Sequence, residues 1–587
     1  MAHESFEDAE TAAILNKHFI SVKVDREERP DIDSVYMTVC QAFTGSGGWP
    51  TSIFLTPNQK PFFAGTYFPV VSRYGMIGFR DLLRAIAARW EEDRAELLRS
   101  SDDIIRRLKH TAAKAQGDSR TLPDDAFRLF SDSFDEKNGG FGSAPKFPAP
   151  HNLLFLLAYS QMENSRRALS MVETTLIQMR KGGIFDQIGF GFSRYSTDRF
   201  FLAPHFEKML YDNALLMLAY TAAYAVTRKA VFLDTAEKTA AYILREMTSP
   251  EGGFYSAQDA DSGGTEGKYY LFGYDEILSV LGKEAGTEFA SYYGITRKGN
   301  FGGSNIPNRL HTDQTEPDHA FDHVLPVLYD YRRSREKLAL DDKILTAWNA
   351  LMIAAFALLY RVTGKACYLT AARSADRFIE ENLTDGGRLF VSWRNGERRT
   401  DGLLDDYAFY AAAQIMLFEA TAERAYLRKA ESLCREAMDQ FADKENGGYT
   451  LSGRYNETPV SYTHLDVYKR QAKITPAYNL PSRYVLHTVG PIIHGRLTKK
   501  DKELLAACYR SYLELAEQNN LKSIAFCCIS TGEFHFPNDK AAQIAVETVT
   551  QYKKQTHSEI EVIFNVFKEL DYNIYRELLR ADKQTEK

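Results

Sequence analysis

The sequence predicts a multidomain chain with an α/β domain at the N-terminus, an all-α region of paired helices in the middle and a second α/β region at the C-terminus. Three observations predict this organisation. The chain has 587 residues, more than one hydrophobic core usually supports, so length alone favours about two to four domains. Its middle carries pairs of helices separated by double glycines. Its two ends alternate short apolar strands with helices.

Composition is that of a globular protein and argues against several classes of partner. Apolar residues make up 44% and charged residues 26% of the chain, and the net charge is -6. We find no dense Lys/Arg block, no basic leader and no stretch of about 18 apolar residues, so neither nucleic acid nor membrane is expected as a partner. Six cysteines without a CxxC pair suit a reducing cytoplasm and are expected to be mostly buried thiols.

Residues 1–115 are predicted to fold in the order typical of thioredoxin-like domains. Pro50, which opens the hairpin, resembles the cis-proline of that fold, where the missing N–H exposes backbone to an incoming chain. A plain turn proline before an edge strand is the alternative. The predicted elements are a helix Phe6–Lys17, an alternating strand Ile20–Asp25, a helix Asp31–Gln41 and a hairpin that begins with the strand Ser52–Leu55 and ends at Phe68–Pro69.

The segments Glu4–Asp8 and Val24–Asp31 resemble the YyaL or spermatogenesis-associated thioredoxin-like family. In that family a Cys-His-Trp-Cys-His segment lies just upstream of the position of Met1, and it is absent here. A thiolate pair is the chemistry of disulfide exchange, so this truncated domain is expected to lack redox activity. Cys40 lies on a predicted helix and is expected in the core.

Residues 120–459 are dominated by helices that come in pairs. In each pair the first helix is almost wholly apolar, as in Ala350–Leu359, and the second carries regularly spaced charges such as Arg428 and Glu431. The first helix is therefore expected inside and the second outside. The predicted helices are Asn213–Thr227, Phe232–Met247, Ala347–Gly364, Tyr368–Leu383, Asp405–Thr421 and Ala425–Phe441.

Double glycines followed by an aromatic or apolar residue punctuate these pairs, at Gly139, Gly182, Gly252, Gly386 and Gly447. Their spacing fits a repeat of roughly 60–70 residues, doubled or carrying an insertion once, which predicts an α/α toroid. Because an outer helix ends where the next inner helix begins, the glycine loops and the inner-helix N-termini are expected at one end, the mouth of the toroid.

Acids, aromatic rings, amides and arginines gather at this expected mouth. Carboxylates and His are the usual general acids and bases, and aromatic rings with polar side chains bind sugars. The predicted catalytic residues are His205, Glu207, Asp259, Asp261, Asp405 and Asp406. The predicted substrate-binding residues are Arg194, Tyr195, Tyr211, Asn213, Glu266, Trp348, Asn349 and Tyr407. No metal site is predicted.

Helix capping is the competing explanation for part of this set. Asp or Asn before an apolar helix is most often an N-cap, which alone explains Asp212, Asp342 and Asp405 taken singly. Capping does not require a His, a Trp, an Arg and a second acid nearby, so the joint cluster still favours a functional site.

The family resemblance extends from residue 1 to about residue 455. Gly182–Gln187, Pro204–Asn213 and Leu404–Ala408 carry it. It implies a toroid similar to those of N-acylglucosamine and cellobiose 2-epimerases and six-hairpin glycosidases, and a small-molecule carbohydrate as ligand, by analogy of fold. The last hairpin is expected to be missing after Glu457. A non-catalytic interaction module is the alternative function.

Residues 460–471 continue neither the preceding hairpin nor the following strand. The peptide Ser461–Gln471 resembles one that recurs at false joins in assembled environmental sequences, which predicts an artefactual junction. A genuine short linker is the alternative.

Residues 472–587 show an α/β pattern. Tyr484–Pro491 and Ser523–Pro537 closely resemble macrodomains of the zinc-dependent ADP-ribosyl hydrolase type. In that family Ser530, Thr531, Gly532, Glu533 and Phe534 would embrace the diphosphate and distal ribose of ADP-ribose.

The macrodomain resemblance covers only the C-terminal half of that fold. The first strands, the catalytic Asn-rich loop and the zinc ligands of that family precede the position of Ala472, so zinc is not expected here and ADP-ribose is expected to bind weakly if at all. Cys527-Cys528 is expected to be one buried thiol with another packed behind it, because adjacent side chains on a strand point to opposite faces.

Overall fold

The computed structural model describes residues 2–73, 75–110, 121–317, 319–444, 447–454, 456, 473–476, 484–487, 493, 497–529, 531, 536–566 and 568–585. The chain divides into two compact units, Met1–Val460 and Ser461–Lys587. The first unit contains the N-terminal α/β domain and a helical toroid, and the second contains the C-terminal α/β region. The proposed junction, residues 460–471, lies outside the described residues.

The N-terminal domain packs its helices on an antiparallel hairpin. Phe54, Phe68, Phe79 and Leu83 form its core. Cys40 is fully buried, as its helical position predicts. The Trp49–Pro50 peptide bond is cis. The elements are a π-helical turn Ala2–Phe6, α1 Ala9–His18, α2 Pro30–Thr44, β1 Ser52–Leu55, β2 Pro61–Gly65, α3 Phe79–Glu92 and α4 Arg94–His110.

The predicted strand at Ile20–Asp25 is wrong. These residues join no ladder among the described residues. Ile20, Val22 and Val24 are 96%, 77% and 42% exposed. The alternation is genuine, but a strand exists only where its backbone groups pair with a neighbour. Within this domain β1 and β2 pair with each other.

The toroid follows the predicted pairing of inner and outer helices. Helices Pro150–Met162, Leu210–Thr227, Thr346–Thr363 and Leu404–Thr421 are the inner ones, and each packs against the helix that follows it. The helices are α5 Leu122–Ser133, α6 Pro150–Met162, α7 Arg166–Lys181, α8 Leu210–Thr227, α9 Ala230–Glu246, α10 Tyr274–Leu281, α11 Lys283–Tyr292, α12 Leu325–Arg335, α13 Thr346–Thr363, α14 Ala366–Asn382, α15 Leu404–Thr421 and α16 Arg424–Phe441.

Helix α13 is long and apolar enough to cross a bilayer by length and composition, contrary to the sequence expectation that no such stretch exists. It packs between α8 and α15. Ile353, Phe356 and Leu359 from this helix are fully buried in the toroid core. Inner helices of a toroid are apolar on all sides because other helices surround them.

The doubled repeat spacing between α9 and α13 comes from an insertion. Helices α10–α12 lie there and form a separate small core with Phe272, Ile277, Phe289 and Leu328. Short strands also cluster between the helices. They are β3 Tyr195–Ser196, β4 Pro204–His205, β5 Lys208–Met209, β6 Ala257–Gln258, β7 Asp261–Ser262, β8 Thr265–Glu266, β9 Leu340–Asp341, β10 Ile344–Leu345, β11 Thr384–Asp385, β12 Arg388–Arg394 and β13 Glu397–Asp401.

The C-terminal unit is an α/β fragment with a core of its own. Strands β16 and β17 pair in parallel, and Tyr509, Phe526 and Ala545 are buried between them and the helices. The elements are β14 Lys473–Pro476, β15 Tyr484–His487, α17 Lys499–Gln518, β16 Ser523–Phe526, α18 Asn538–Thr556, β17 Glu561–Phe564 and α19 Glu569–Thr585.

The cysteines differ from the sequence expectation. Cys40 and Cys508 are buried, whereas Cys367, Cys434 and Cys527 are exposed. Cys528 is half-buried, and burial raises the pKa of its thiol to about 11. Because β16 ends at Phe526, the Cys527-Cys528 pair follows the strand and does not obey its two-sided alternation.

Candidate active site at the mouth of the toroid

A small sheet at the inner-helix N-termini brings distant acids to one rim. Strand β6 pairs with both β5 and β9. Glu207 immediately precedes β5, Asp259 immediately follows β6, and Asp341 lies in β9. The N-terminus of α8 follows β5 directly, and α13 begins five residues after Asp341, so the sheet gathers the three carboxylates at the mouth.

A cavity of about 480 Å³ opens beside this sheet. Both the toroid and the N-terminal domain contribute to its wall, although their contributing segments lie far apart in sequence. The lining residues are Asp25, Glu27, Glu28, Glu207, Ala257, Asp259, Ala339, Leu340, Asp341, Lys343, Arg394 and Arg399.

His205 is held between two carboxylates. Its Nδ1 lies 2.6 Å from Glu266 Oε1, and its Nε2 lies 3.9 Å from Glu207 Oε2. The hydrogen bond to Glu266 raises the pKa of His205 although burial opposes the change, and the same bond lowers the pKa of Glu266. The Tyr195 ring stacks on the imidazole, with 5.2 Å between centroids. Four of the predicted residues therefore form one cluster.

The hairpin that presents Glu266 requires glycine at its turn. Ser262 pairs with Thr265 across Gly263 and Gly264, whose φ values are +55° and +75°. A two-residue turn with positive φ at both positions matches the natural twist of the strands. Asp261 lies on this hairpin opposite Glu266 and is exposed, whereas Asp259 lines the cavity.

Arg194 links the His205 cluster to the N-terminal domain. Its Nη1 donates to Glu207 Oε2 at 2.8 Å. The Arg194 guanidinium lies 6.0 Å from the Trp49 ring centroid, and the Arg26 guanidinium lies 3.9 Å from the same centroid. The indole N–H of Trp49 donates to Asp33 at 2.9 Å. Trp49 thus stands at the mouth with a cation on its ring.

Lys343 ties the N-terminal domain to the rim. Its Nζ lies 2.6 Å from Asp25, 3.0 Å from Glu27 and 3.2 Å from Asp341. Burial opposes the charge on Lys343, but these carboxylates outweigh it and raise the pKa of the ammonium. Nearby, Ser392 donates to Glu28 at 3.0 Å. The segment from Asp25 to Glu28 is therefore part of the cavity wall.

The side-chain amides of two predicted substrate-binding residues are hydrogen-bonded to backbone groups. Asn213 accepts from the Phe192 N–H at 2.7 Å and donates to the Phe192 carbonyl at 3.0 Å. Asn349 makes the same pair of bonds to Phe254, at 2.7 and 2.9 Å. Both side chains are fully buried. They hold the preceding glycine loops in place, which is a positioning role at the base of the mouth.

Tyr407 occupies the same position on α15, the fourth residue of an inner helix, as Asn213 and Asn349 do on α8 and α13. It is buried, and its hydroxyl accepts from the Leu389 N–H at 3.1 Å. This contact again fixes the segment after a double glycine. The three predicted ligand contacts at this helical position therefore share one structural function.

The remaining predicted residues divide between the rim and the interior. Tyr211 and Trp348, both half-buried, form an edge-on aromatic pair with centroids 4.8 Å apart. Asp405 is exposed. Asp406 is buried and accepts from the backbone N–H groups of Ala347 and Leu403. Burial raises the pKa of Asp406 to about 7 although both N–H donors oppose the change. Capping explains this aspartate.

Sequence reasoning missed the contribution of the N-terminal domain to the site. Asp25, Arg26, Glu27 and Trp49 were not among the predicted site residues, and neither was Lys343. The signal in the sequence that could have found it is the segment Val24–Asp31, which concentrates charged residues directly after the alternating apolar segment. Sequence spacing gave no indication that this segment meets the toroid.

The predicted phosphate loop of the C-terminal unit lies almost wholly outside the described residues. No group of three or more His, Cys, Asp and Glu side chains in the described ranges is placed to hold a metal. Ser530, Gly532, Glu533 and Phe534 lie outside the described residues. Thr531 is described, and its hydroxyl donates to the Cys528 carbonyl at 3.1 Å.

Comparisons with known proteins divide the chain in the same way. Residues 1–109 match the family model Thioredox_DsbH, described as a protein of unknown function, DUF255, and residues 456–545 match the macro domain. Protein-ADP-ribose hydrolase of Treponema medium is 59% identical over 108 residues, which are 18% of this chain and 41% of that protein. Cellobiose 2-epimerase from Bacillus thermoamylovorans covers 74% of this chain and 88% of its own, with 12% identity and a TM-score of 0.37.

Two longer relatives extend the similarity through the toroid. Spermatogenesis-associated protein 20 of Homo sapiens is 35% identical over 507 residues, which are 77% of this chain and 64% of that protein. The chain thus spans less than two thirds of that relative. An uncharacterized protein of Caenorhabditis elegans is 34% identical over 504 residues, which are 78% of this chain and 69% of that protein. The chain therefore belongs to the family of spermatogenesis-associated protein 20.

Proposed function

We propose that the mouth cavity binds a carbohydrate and that His205 and Glu207 exchange protons with it, in a reaction of the epimerase, isomerase or glycosidase type. The observation that carries this proposal is the position of His205, fixed at Nδ1 by Glu266 and 3.9 Å from Glu207 at Nε2. Glu207 itself lines the 480 Å³ cavity, a size within the range of about 300–1,000 Å³ typical of small-molecule sites.

The lining favours a neutral or amine-bearing sugar over a sugar phosphate. Six carboxylates and three cationic side chains line the cavity. Carboxylate oxygens accept hydrogen bonds from sugar hydroxyls. A phosphate dianion would meet excess negative charge. The same wall makes the N-terminal domain part of the site, which argues against a separate interaction module.

Proton transfer follows from how His205 is held. Glu266 accepts from Nδ1–H, which stabilises the imidazolium and leaves Nε2–H directed towards the side of Glu207. An imidazolium donor and a carboxylate acceptor within a few ångströms are the components of general acid–base catalysis. His205 would donate a proton to a sugar oxygen, and Glu207 would accept one.

Calorimetry with a panel of monosaccharides and disaccharides tests this proposal on the full chain. We expect binding of at least one member, and loss of that binding in His205→Ala and Glu207→Gln. The matched control is His319→Ala, because His319 forms a similar His–carboxylate pair with Asp322 at 2.7 Å on an exposed surface. Absence of binding across the panel, or equal binding by all variants, would contradict the proposal.

For the C-terminal unit we propose no more than weak ADP-ribose binding. The similarity to protein-ADP-ribose hydrolase covers 41% of that protein, and affinity in such a pocket comes from several preorganised donors acting together. Calorimetry with ADP-ribose, with and without zinc, is expected to show no micromolar binding and no hydrolysis. Micromolar binding that Gly532→Glu abolishes would overturn this expectation.

We also propose that residues 460–471 are an assembly artefact that joins two genes. Their mismatch with both flanking patterns supports this origin. Sequencing reads that run unbroken across codons 455–475 in the source DNA would contradict it, whereas reads that diverge at this segment are expected.

A further inference from the structure

Three aromatic rings lie side by side at the rim, next to the proposed acid–base pair. Strand β3 pairs with β4, which places Tyr195 opposite His205, and on its other edge an isolated bridge joins Ser196 to Lys146. Because that bridge is antiparallel, Phe147 comes opposite Tyr195. The ring centroids are 4.8 Å apart between Phe147 and Tyr195, and 5.2 Å apart between Tyr195 and His205. Tyr195 therefore lies between the other two rings.

Phe147 is an exposed residue on a firmly held backbone. It is 52% exposed, whereas Lys146 before it is fully buried. The backbone of Lys146 exchanges two hydrogen bonds of 2.8 Å with Ser196. The Lys146 ammonium also donates to a carboxylate at 2.9 Å and to two backbone carbonyls at 2.7 and 2.8 Å. Pro148 follows directly and restricts the backbone of Phe147 to extended conformations. Buried contacts thus hold in place a ring of which about half faces solvent.

The place of Phe147 in this row distinguishes it from an ordinary exposed apolar residue. Single apolar side chains are common on protein surfaces, but this row ends at His205, whose Nε2 lies 3.9 Å from Glu207 of the cavity wall. An aromatic ring offers an apolar face, which suits the C–H face of a sugar ring. Two strand spacings, about 10 Å, separate Phe147 from His205. A sugar ring on Phe147 is therefore not the ring that would exchange protons with His205.

We propose that Phe147, with Tyr195 beside it, binds a second sugar ring, so that the ligand of the mouth is a disaccharide or a longer glycan. The first ring lies at the His205–Glu207 pair, and the next ring extends along the row towards Phe147. Because the buried contacts of Lys146 hold the loop in advance, binding costs little conformational entropy there. This inference rests on the proposed carbohydrate function and adds the size of the substrate to it.

Calorimetry with matched pairs of sugars tests the second binding position on the full chain. The probes are cellobiose with glucose, and N,N′-diacetylchitobiose with N-acetylglucosamine. For at least one pair we expect the disaccharide to bind about tenfold more tightly than its monosaccharide, as one additional stacking contact predicts. Phe147→Ala is expected to remove this difference, whereas Phe147→Trp, which keeps an aromatic face, is expected to retain it.

The control is Met162→Ala, because Met162 is 74% exposed and lies at the far end of α6, the helix that begins just after Phe147. Thermal unfolding should show that Phe147→Ala folds as the unaltered chain does, as expected for an exposed side chain. Equal affinity for disaccharide and monosaccharide, or a difference that survives in Phe147→Ala, would overturn the second position. If binding is still lost in Glu207→Gln, the proposed function stands in that case. If none of the sugars binds, this inference falls together with the carbohydrate proposal.

Discussion

Lys343 Nζ lies 2.6 Å from Asp25 Oδ2, although 318 positions separate the two residues. Two other lysines at the mouth are satisfied within the toroid. Lys146 binds Asp135 and Lys208 binds Asp186, each at 2.9 Å, and each lysine also donates to a carbonyl of the nearby glycine loop. The loop before α13 has a serine, Ser249, where the other two loops have these aspartates. Ser249 follows Thr248, which forms an isolated β-bridge, just as Asp186 follows the bridge residue Phe185. Asp25 and Glu27 of the N-terminal domain take the place of that aspartate, and Asp341 of the toroid is the third carboxylate near Lys343.

Lys343→Met is expected to loosen the N-terminal domain. It removes the cation shared by Asp25, Glu27 and Asp341 and leaves three acids together. Breaking a buried pair costs about 3–5 kcal/mol, and the partial exposure of Asp25 lowers our expectation to about 2–3 kcal/mol. Limited proteolysis should show faster cleavage within residues 1–110. Lys146→Met, whose partners lie within the toroid, should destabilise the chain without that selective cleavage.

The stability of the chain should depend on Asp212 with a definite sign. Burial of the Asp212 carboxyl outweighs the opposing charge of Arg194 and raises its pKa in the folded state to about 8, whereas an unfolded Asp has a pKa near 3.9. Between these values the folded state holds a proton that the unfolded chain has lost, so this group lowers stability as pH rises, by up to about 1.4 kcal/mol per pH unit. Urea unfolding at pH 5 and pH 8 should show a smaller loss for Asp212→Asn than for the unaltered chain. A larger loss in the variant would contradict this expectation.

Asn349→Ala is expected to destabilise the toroid by about 2–4 kcal/mol, because it leaves the buried N–H and C=O of Phe254 without partners. Asn213→Ala is expected to destabilise the toroid in the same way, because it removes the matching hydrogen bonds to the backbone of Phe192. Thermal unfolding is the measurement. Asn382→Ala is the control, since that partly exposed amide makes one long bond of 3.3 Å. Unchanged unfolding with lost sugar binding would instead indicate direct ligand contact by Asn349.

Glu266→Gln is expected to lower the pKa of His205, since the carboxylate that stabilises the imidazolium is lost. A group with a raised pKa contributes stability at low pH that disappears as pH rises through the folded pKa. The variant should therefore lose stability relative to the unaltered chain at pH 5 and less at pH 9. Imidazole NMR titration measures the pKa directly, and an unchanged His205 pKa would show that Glu266 does not control it.

No insulin reduction or disulfide isomerisation is expected from this chain, because its six cysteines contain no CxxC pair and Cys40 is fully buried. Turbidity of reduced insulin is the assay, with Cys40→Ser and the exposed Cys367→Ser as paired variants. Turnover that disappears only in Cys40→Ser would show that this buried thiol is reactive.

The sequence by itself determined three of the four inner helices of the toroid. Apolar runs such as Ala350–Leu359 predicted α8, α13 and α15 to within a few residues of their observed ends, because helix formation and burial depend on local periodicity. The double glycines likewise marked the loops between outer and inner helices. The resemblance to the thioredoxin-like and macrodomain families rested on short contiguous segments, and such segments can be recognised from the sequence without a structure.

Only the tertiary structure decided which polar residues share a site and which hold the backbone. Asn213 and His205 are eight positions apart, and both belong to the same motif, yet one binds the Phe192 backbone and the other stands between two carboxylates. The alternation at Ile20–Asp25 predicted a strand that has no partner among the described residues. Contacts such as Lys343 with Asp25 depend on how distant segments pack, and the capping role of Asp406 depends on the N–H groups of Ala347 and Leu403 that reach its oxygens. Neither the packing of distant segments nor the positions of these N–H groups can be read from the local sequence.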